Sequence, residues 1–255
     1  MKTNCNNIAI RGARSGRFSS AGNLTRASGS GRASKIGIAT LLTAAAIGAT
    51  AFIALPQQMA PLAHYVLAGN RAPECVRTVV FRDESGSMVA FANARATAMQ
   101  RLVAWSKQPQ TLRATDELAI IDFASEGKVA ESTTPIRSME SRIPASRSVE
   151  PASTSFSAGI LAMRSLPVTK CRTSIIALSD GEIAPLTSAA KSELTREGVA
   201  SVALVLPGDL PVPPVWSTAF PYGVTVEAPA DDGNMTANAI ATALADSVGQ
   251  RLVTR

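Results

Sequence analysis

A short apolar run that ends on an aspartate constrains this chain more than any other feature. The run begins at Thr78 and ends at Asp83, and Ser85, Gly86 and Ser87 follow it. Its valines and phenylalanine predict a buried strand, and the glycine permits a sharp turn where the chain leaves that strand. One carboxylate and two hydroxyls therefore converge at the strand's carboxyl end, and oxygen ligands of this kind suit a hard cation such as Mg²⁺.

Two later segments place matching polar residues at the ends of predicted elements. Thr154 opens a predicted helix that contains Gly159, and a second apolar strand ends on Asp180 and Gly181. Each polar residue also has an ordinary interpretation on its own. Asp83 and Thr154 are suited to capping a helix, and Asp180 is a common turn residue.

The three segments together, in this order, resemble the metal-ion-dependent adhesion site of the von Willebrand factor A (vWA) domain family. The first segment reads Asp-x-Ser-x-Ser, and the resemblance covers roughly residues 73–252. It implies a doubly wound, mostly parallel sheet flanked by helices. It also implies a bound Mg²⁺, or else Mn²⁺ or Ca²⁺, surrounded by five side chains, with an open position that an Asp or Glu of a protein partner fills. The five implied metal ligands are Asp83, Ser85, Ser87, Thr154 and Asp180.

Alternating strand and helix patterns over the same region predict this fold class independently. Strands are predicted at 76–82, 116–123, 172–179 and 199–206, with a hairpin turn at Gly127. Helical spacing is predicted over 88–105 and 155–166, and also in a last helix striped by Ile240, Leu244, Val248 and Leu252. A Pro-rich loop is predicted over 207–221. Such alternation favours a doubly wound α/β sheet, in which ligands bind beyond the carboxyl ends of the strands.

The amino-terminal region differs sharply in composition. Residues 1–70 hold seven of the 25 Lys and Arg and none of the 19 Asp and Glu, which leaves 18 basic against 19 acidic residues in 71–255. The rest of the chain therefore lacks the positive charge of a nucleic-acid binder. Residues 1–35 are rich in Ser, Gly, Asn and Arg, which predicts a disordered basic tail.

An uncharged stretch follows that tail. Residues 36–55 contain no charged side chain, and 20 residues match a hydrocarbon core about 30 Å thick. The positive-inside rule keeps 1–35 in the cytoplasm, so we expect a single-pass anchor, a linker over 56–72, and a vWA domain over 73–255 facing the periplasm or the cell exterior. A cleaved signal peptide is the alternative, although its apolar region would be shorter, about 7–15 residues.

The cysteines give a further expectation. Cys75 lies eight residues before Asp83, and Cys171 lies nine residues before Asp180. If both aspartates reach one metal, their strands are parallel neighbours, and equal distances backwards bring the cysteines together at the opposite end of the sheet. We therefore predict a disulfide between them, which needs an oxidising compartment; two free thiols are the alternative. Cys5, in the tail, is expected to stay reduced.

Two charged residues flank the first aspartate. Arg82 occupies a position that is usually apolar in the vWA family. Because strand side chains alternate, it should point away from Asp83 and pair with an acidic neighbour. Glu84 is expected to face the solvent.

Two functional classes follow from these residues. The first is a membrane-anchored module that binds a protein partner through a cation, in adhesion or in envelope or pilus assembly, and it is not an enzyme. The second is a Mg²⁺-dependent hydrolase that uses the same acidic site. No histidine lies in 73–255, which excludes Ser–His–Asp and histidine–zinc chemistry there.

Overall fold

The computed structural model describes residues 60–140, 143–146, 149–183, 188–208, 210–221 and 223–255. The predicted tail 1–35 and membrane segment 36–55 lie outside these residues. Within the described ranges, no helix is both long enough and apolar enough to cross a membrane.

A mostly parallel sheet of six strands organises the fold. The strands in the described residues are β1 Tyr65–Ala68, β2 Val76–Asp83, β3 Glu117–Phe123, β4 Gly127–Pro135, β5 Arg172–Leu178, β6 Val199–Pro207, β7 Val224–Ala228 and β8 Arg251–Thr254. The main sheet has the order β4-β3-β2-β5-β6-β7, in which only the edge strand β4 runs antiparallel to its neighbour. Strands β1 and β8 form a separate antiparallel ribbon.

Helices cover both faces of this sheet because its central strands are apolar on both sides. The helices are α1 Ala92–Ser106, α2 Phe156–Met163, α3 Ser188–Arg196, α4 Pro214–Ala219 and α5 Gly233–Ser247. Along β2, Val76 and Val80 pack with α1 and α5, whereas Val79 and Phe81 pack with α2, α3 and α4. The predicted class, a mixed α/β fold with a mostly parallel central sheet, is confirmed by this architecture.

The structure differs from the sequence-based boundaries at three places. The last predicted helix ends at Ser247, and Leu252 belongs to β8 instead; Gly249, with a φ of 74°, turns the chain between them. Part of the predicted linker, Leu62–His64, forms a 3-10 turn that leads into β1. The predicted Pro-rich loop contains the short helix α4, which begins at Pro214, a position where the missing N–H of proline costs nothing.

The predicted disulfide is present. Val76 pairs with Arg172 in the β2–β5 register, so Cys75 and Cys171, each one residue earlier, lie side by side with Cα atoms 4.7 Å apart. Cys171 precedes Asp180 by nine residues, whereas Cys75 precedes Asp83 by eight. The additional residue lies at the carboxyl end of β5. Arg82 pairs with Leu178 there, which leaves Asp180 one residue further along than Asp83.

Candidate metal centre

The candidate site lies at the carboxyl ends of β2 and β5, where the strand order of the sheet reverses. Strand β2 is flanked by β3 on one side and β5 on the other. The loops that leave β2 and β5 therefore diverge and open a crevice, which is the usual ligand position in such sheets. Asp83 ends β2 and Asp180 follows β5.

Asp83 is held in place by two hydrogen bonds, one to each carboxylate oxygen. Its Oδ1 accepts from the backbone N–H of Ser85 at 2.9 Å, and its Oδ2 accepts from the Ser179 hydroxyl at 2.6 Å. The side chain is fully buried. The turn that follows β2 therefore fixes the carboxylate from one side, and β5 fixes it from the other.

Asp180 is joined to the same network through the two predicted serines. The Ser87 hydroxyl donates to Asp180 Oδ2 at 2.6 Å, and the Ser85 and Ser87 oxygens are 3.2 Å apart. The backbone N–H of Glu182 donates to Asp180 Oδ1 at 3.0 Å. Four of the five predicted ligands, all except Thr154, thus form one cluster, in which Ser87 is exposed at the surface.

Thr154 lies in the segment that leads into α2. Ser155 donates its N–H to the carbonyl of Ala124, just beyond the end of β3, at 2.7 Å. Gly159 lets α2 approach the sheet, since a Cβ there would come within 2.7 Å of the Phe81 ring. Thr154 itself is half-buried and makes no hydrogen bond to the other four among the described residues, so its role as a ligand remains a prediction.

Ser179 is a site residue that the sequence analysis did not single out. Its hydroxyl donates to Asp83 and accepts the N–H of Gly181 at 3.0 Å, and the side chain is fully buried. Gly181 has a φ of 77°, which glycine adopts without strain. The sequence shows a hydroxyl at the end of an apolar strand, and the β2–β5 register of the structure places it opposite Asp83.

Arg82 points away from the cluster, as strand alternation predicts. Its guanidinium binds Asp122 on β3 through Nε at 2.6 Å and Nη2 at 3.0 Å. Nη1 donates to the carbonyl of Pro144 at 3.0 Å. This buried ion pair ties β2 to β3 and to the loop before α2, so Arg82 does not compete with a cation.

Glu84 does not face the solvent, and that expectation is wrong. Its side chain is only 15% exposed and is 3.2 Å from the guanidinium of Arg95 on α1, while the Ser146 hydroxyl donates to it at 2.7 Å. The buried Arg95 also donates to the main-chain carbonyl of Asp83. The charge of Glu84 is therefore used to balance an arginine that sits behind the first aspartate.

The electrostatics of the cluster favour a cation. Burial raises the pKa of the Asp83 carboxyl, the nearby charge of Asp180 raises it further, and the hydrogen bonds from Ser179 and Ser85 oppose this shift. No salt bridge to either aspartate is found in the described part of the chain. Two carboxylates on neighbouring strands, with only hydroxyl and amide partners, fit a hard divalent ion.

The described residues contain no cluster of three or more His, Cys, Asp or Glu side chains that could hold a metal. The candidate site belongs to a different class, because it combines two carboxylates with hydroxyls. Such an oxygen-only set suits Mg²⁺ or Mn²⁺ better than a softer metal.

Comparison with known proteins finds likeness only at the level of solved structures. No family model and no curated protein matches the chain. BatB of Bacteroides thetaiotaomicron is 18% identical, with a TM-score of 0.45, and the match covers 67% of this chain and 98% of BatB. VWA2 of Sulfolobus acidocaldarius, an ArnB paralog, is 16% identical with a TM-score of 0.47, and the match covers 69% of this chain and 46% of VWA2.

A third structure is proximal thread matrix protein 1 of the mussel byssus, with zinc in the adhesion-site motif of that protein. It is 16% identical with a TM-score of 0.45, and the match covers 75% of this chain and 50% of the mussel protein. The chain thus spans about half the length of the last two structures. TM-scores below 0.5 at such identities assign neither a family nor a function, so the site is interpreted from the chain's own residues.

Proposed function

We propose that this chain binds a protein partner through a divalent cation held at the carboxyl ends of β2 and β5. The observation that carries the proposal is the buried pair Asp83 and Asp180, which has no salt bridge among the described residues and is joined by the hydroxyls of Ser85 and Ser87. Thr154 would complete the ligand set from the start of α2. The resemblance to the vWA adhesion site, stated from the sequence, names the same five residues.

The donor set suits a cation that also accepts a ligand from outside. Two carboxylates offset a double positive charge, and the hydroxyls add no further negative charge, so the ion keeps affinity for an incoming carboxylate. Ser87 is exposed, which leaves one side of the cluster open to a partner. An Asp or Glu side chain is the chemical group that fits this position.

The proposed setting is the cell envelope. Residues 36–55 would anchor the chain, with the folded region outside the cytoplasm, where it would act in adhesion or in envelope or pilus assembly. The disulfide between Cys75 and Cys171 supports this placement, since structural disulfides persist in oxidising compartments. A reporter that is active only in such compartments, fused after Arg255, should be active.

A hydrolase at the same site is the weaker candidate. Hydrolysis would need a general base or a nucleophile that the cation does not occupy. Among the described side chains of the cluster, the acids are Asp83 and Asp180, and both are assigned to the ion. Nothing observed at the site favours turnover over binding.

A pull-down from solubilised envelope membranes tests the proposal. The full chain, immobilised in detergent with Mg²⁺, should retain a protein that EDTA releases. Asp83→Ala should lose this protein. Asp246→Ala, which removes an equal charge from an exposed position on α5, should retain it. Capture that is equal with EDTA and with Asp83→Ala would overturn the proposal.

A further inference from the structure

A polar cavity lies at the opposite end of the sheet from the candidate metal centre. It has a volume of about 390 Å³ and is lined by residues from the amino ends of β2 and β5 and from the carboxyl ends of α2 and α3. That volume is at the lower end of the range for small-molecule sites. Cys171, half of the disulfide, forms part of its wall.

Arg77 is the buried charge of this cavity. Only 5% of the residue is exposed, and its partners are all neutral: Nε and Nη2 donate to the Thr173 hydroxyl at 3.2 and 2.9 Å, and Nη1 donates to the carbonyl of Pro167 at 2.9 Å. No carboxylate forms a salt bridge with it in the described part of the chain. Burial lowers the pKa of this guanidinium, and the charges of Glu117 and Glu197 partly oppose that shift.

The hydrogen bonds of Arg77 leave two donors free. A guanidinium has five N–H groups, and the hydrogen bonds to Thr173 and Pro167 use three of them. Within the described ranges, one N–H on Nη1 and one on Nη2 have no acceptor. N–H groups of a guanidinium are suited to the oxygens of a carboxylate or phosphate.

Two further arginines lie at the edge of the cavity. Arg164 and Arg196 lie at the ends of α2 and α3 and share the carboxylate of Glu193, and Arg196 is also 3.6 Å from Glu197, which lines the cavity. Their side chains are 37% and 59% exposed, so they form the rim. At these positions they offset the partial negative charge of two helix carboxyl ends.

We infer that this cavity binds a small molecule through a carboxylate or phosphate group paired with the remaining N–H groups of Arg77. Arg164 and Arg196 at the rim attract the anion, and the disulfide keeps the wall beside it fixed. The inference is independent of the cation proposal, because it uses the other end of the strands and none of the metal-centre residues.

Calorimetric titration of the full chain with inorganic phosphate and, separately, with citrate tests the inference. The wild type should bind at least one of the two saturably, which also distinguishes phosphate from carboxylate recognition. Arg77→Met should weaken that binding at least about tenfold, since hydrogen bonds to charged groups are lost. Arg172→Met is the matched control: it removes the same charge from β5, where the side chain binds the carbonyl of Ser247 outside the cavity, and should bind as the wild type does.

Two further measurements keep the inference testable if Arg77→Met does not fold. Arg196→Met, at the exposed rim, should weaken binding about threefold as an attracting charge is lost. In the wild type, the bound anion should protect the rim residues Arg164 and Arg196, whose side chains are exposed, from a dicarbonyl reagent while leaving Arg172 reactive, as peptide mass spectrometry would show. Absence of saturable binding by either anion, or binding without protection of Arg164 and Arg196, would overturn the inference.

Discussion

The two ends of the β2–β5 strand pair are built in opposite ways. At the amino end, Cys75 and Cys171 are bonded, and Asp116 accepts from the backbone of Val76 at 3.1 Å while pairing with Arg71. At the carboxyl end, Asp83 and Asp180 have hydroxyl and amide partners and no ion pair in the described part of the chain. The amino end is cross-linked by the disulfide, and the carboxyl end carries two carboxylates without a salt bridge among the described residues.

This contrast separates stability from binding along the same two strands. Two carboxylates that share a buried site repel each other, so a binding site of this kind tends to push its strands apart. The covalent link at the far end opposes that tendency by stabilising the folded strand pair. We expect changes at the amino end to alter stability, and changes at the carboxyl end to alter cation affinity.

The largest effect should come from removing the disulfide. Cys75→Ala combined with Cys171→Ala opens a loop with a sequence separation of 96 residues. The chain-entropy model predicts a loss of up to about 4–5 kcal/mol in the free energy of unfolding. Urea unfolding of the purified chain measures this loss.

The cation affinity of the remaining folded protein should stay within about twofold of the wild type, because distant sites act additively. Cys5→Ala, in the amino-terminal tail, is the control and should leave the urea midpoint unchanged. A double variant that unfolds like the wild type, or one that folds but no longer binds the cation, would break the separation of the two ends.

A smaller effect is expected from the pH dependence of the cation-free protein. Burial raises the pKa of Asp83 above its ordinary value of 3.8, so the folded state binds more protons than the unfolded state between the two pKa values. Stability should therefore decrease as the pH rises through that window. In EDTA, Asp83→Asn should lack this part of the decrease and be more stable than the wild type at neutral pH.

Saturating Mg²⁺ should reverse the trend for the wild type, because the ion binds the deprotonated carboxylate. Urea unfolding at a series of pH values, with and without the ion, measures both arms. Identical pH profiles for wild type and Asp83→Asn would show that the Asp83 carboxyl carries no unfavourable charge in the folded state.

Much of this contrast could be predicted from the sequence, and the reasons are local. The apolar runs before Asp83 and Asp180 have the length of strands. Counting back a similar number of residues from each aspartate predicts that Cys75 lies beside Cys171. This prediction is correct because the one additional residue between Cys171 and Asp180 lies at the carboxyl end of β5, where Arg82 pairs with Leu178. Strand alternation also gave the correct direction for Arg82.

The misses share a different cause. Glu84 looked solvent-facing because its partners Arg95 and Ser146 lie 11 and 62 residues away, and no local pattern announces them. The membership of β1 in the fold depends on pairing with β8 at the other end of the chain. Ser179 was overlooked because one hydroxyl in an apolar strand resembles an ordinary core position until the neighbouring strand is known.

The smallest effect should come from the pair Glu84 and Arg95 behind the metal centre. Their charges offset each other at 3.2 Å. Glu84→Gln leaves the positive charge of Arg95 without this partner and should weaken Mg²⁺ binding roughly threefold to tenfold. Arg95→Met should strengthen Mg²⁺ binding by a similar factor. The double variant should return close to the wild-type affinity.

Calorimetric titration of Mg²⁺ into the wild type and the three variants gives a double-mutant cycle for this pair. Thermal unfolding of each variant in EDTA distinguishes an effect of the charge on binding from a loss of structure. If both single variants weaken binding to the same degree, the pair acts by positioning the loop rather than through its charge.

The most direct test of the account is a titration of Mg²⁺ or Mn²⁺ into the purified full chain. We predict one cation per chain for the wild type and for Asp246→Ala, and no measurable binding for Asp83→Ala, whose fold should persist because a buried, crowded carboxylate has been removed. Cation binding by Asp83→Ala with unchanged affinity would contradict the assignment of the carboxyl ends of β2 and β5 as the metal centre.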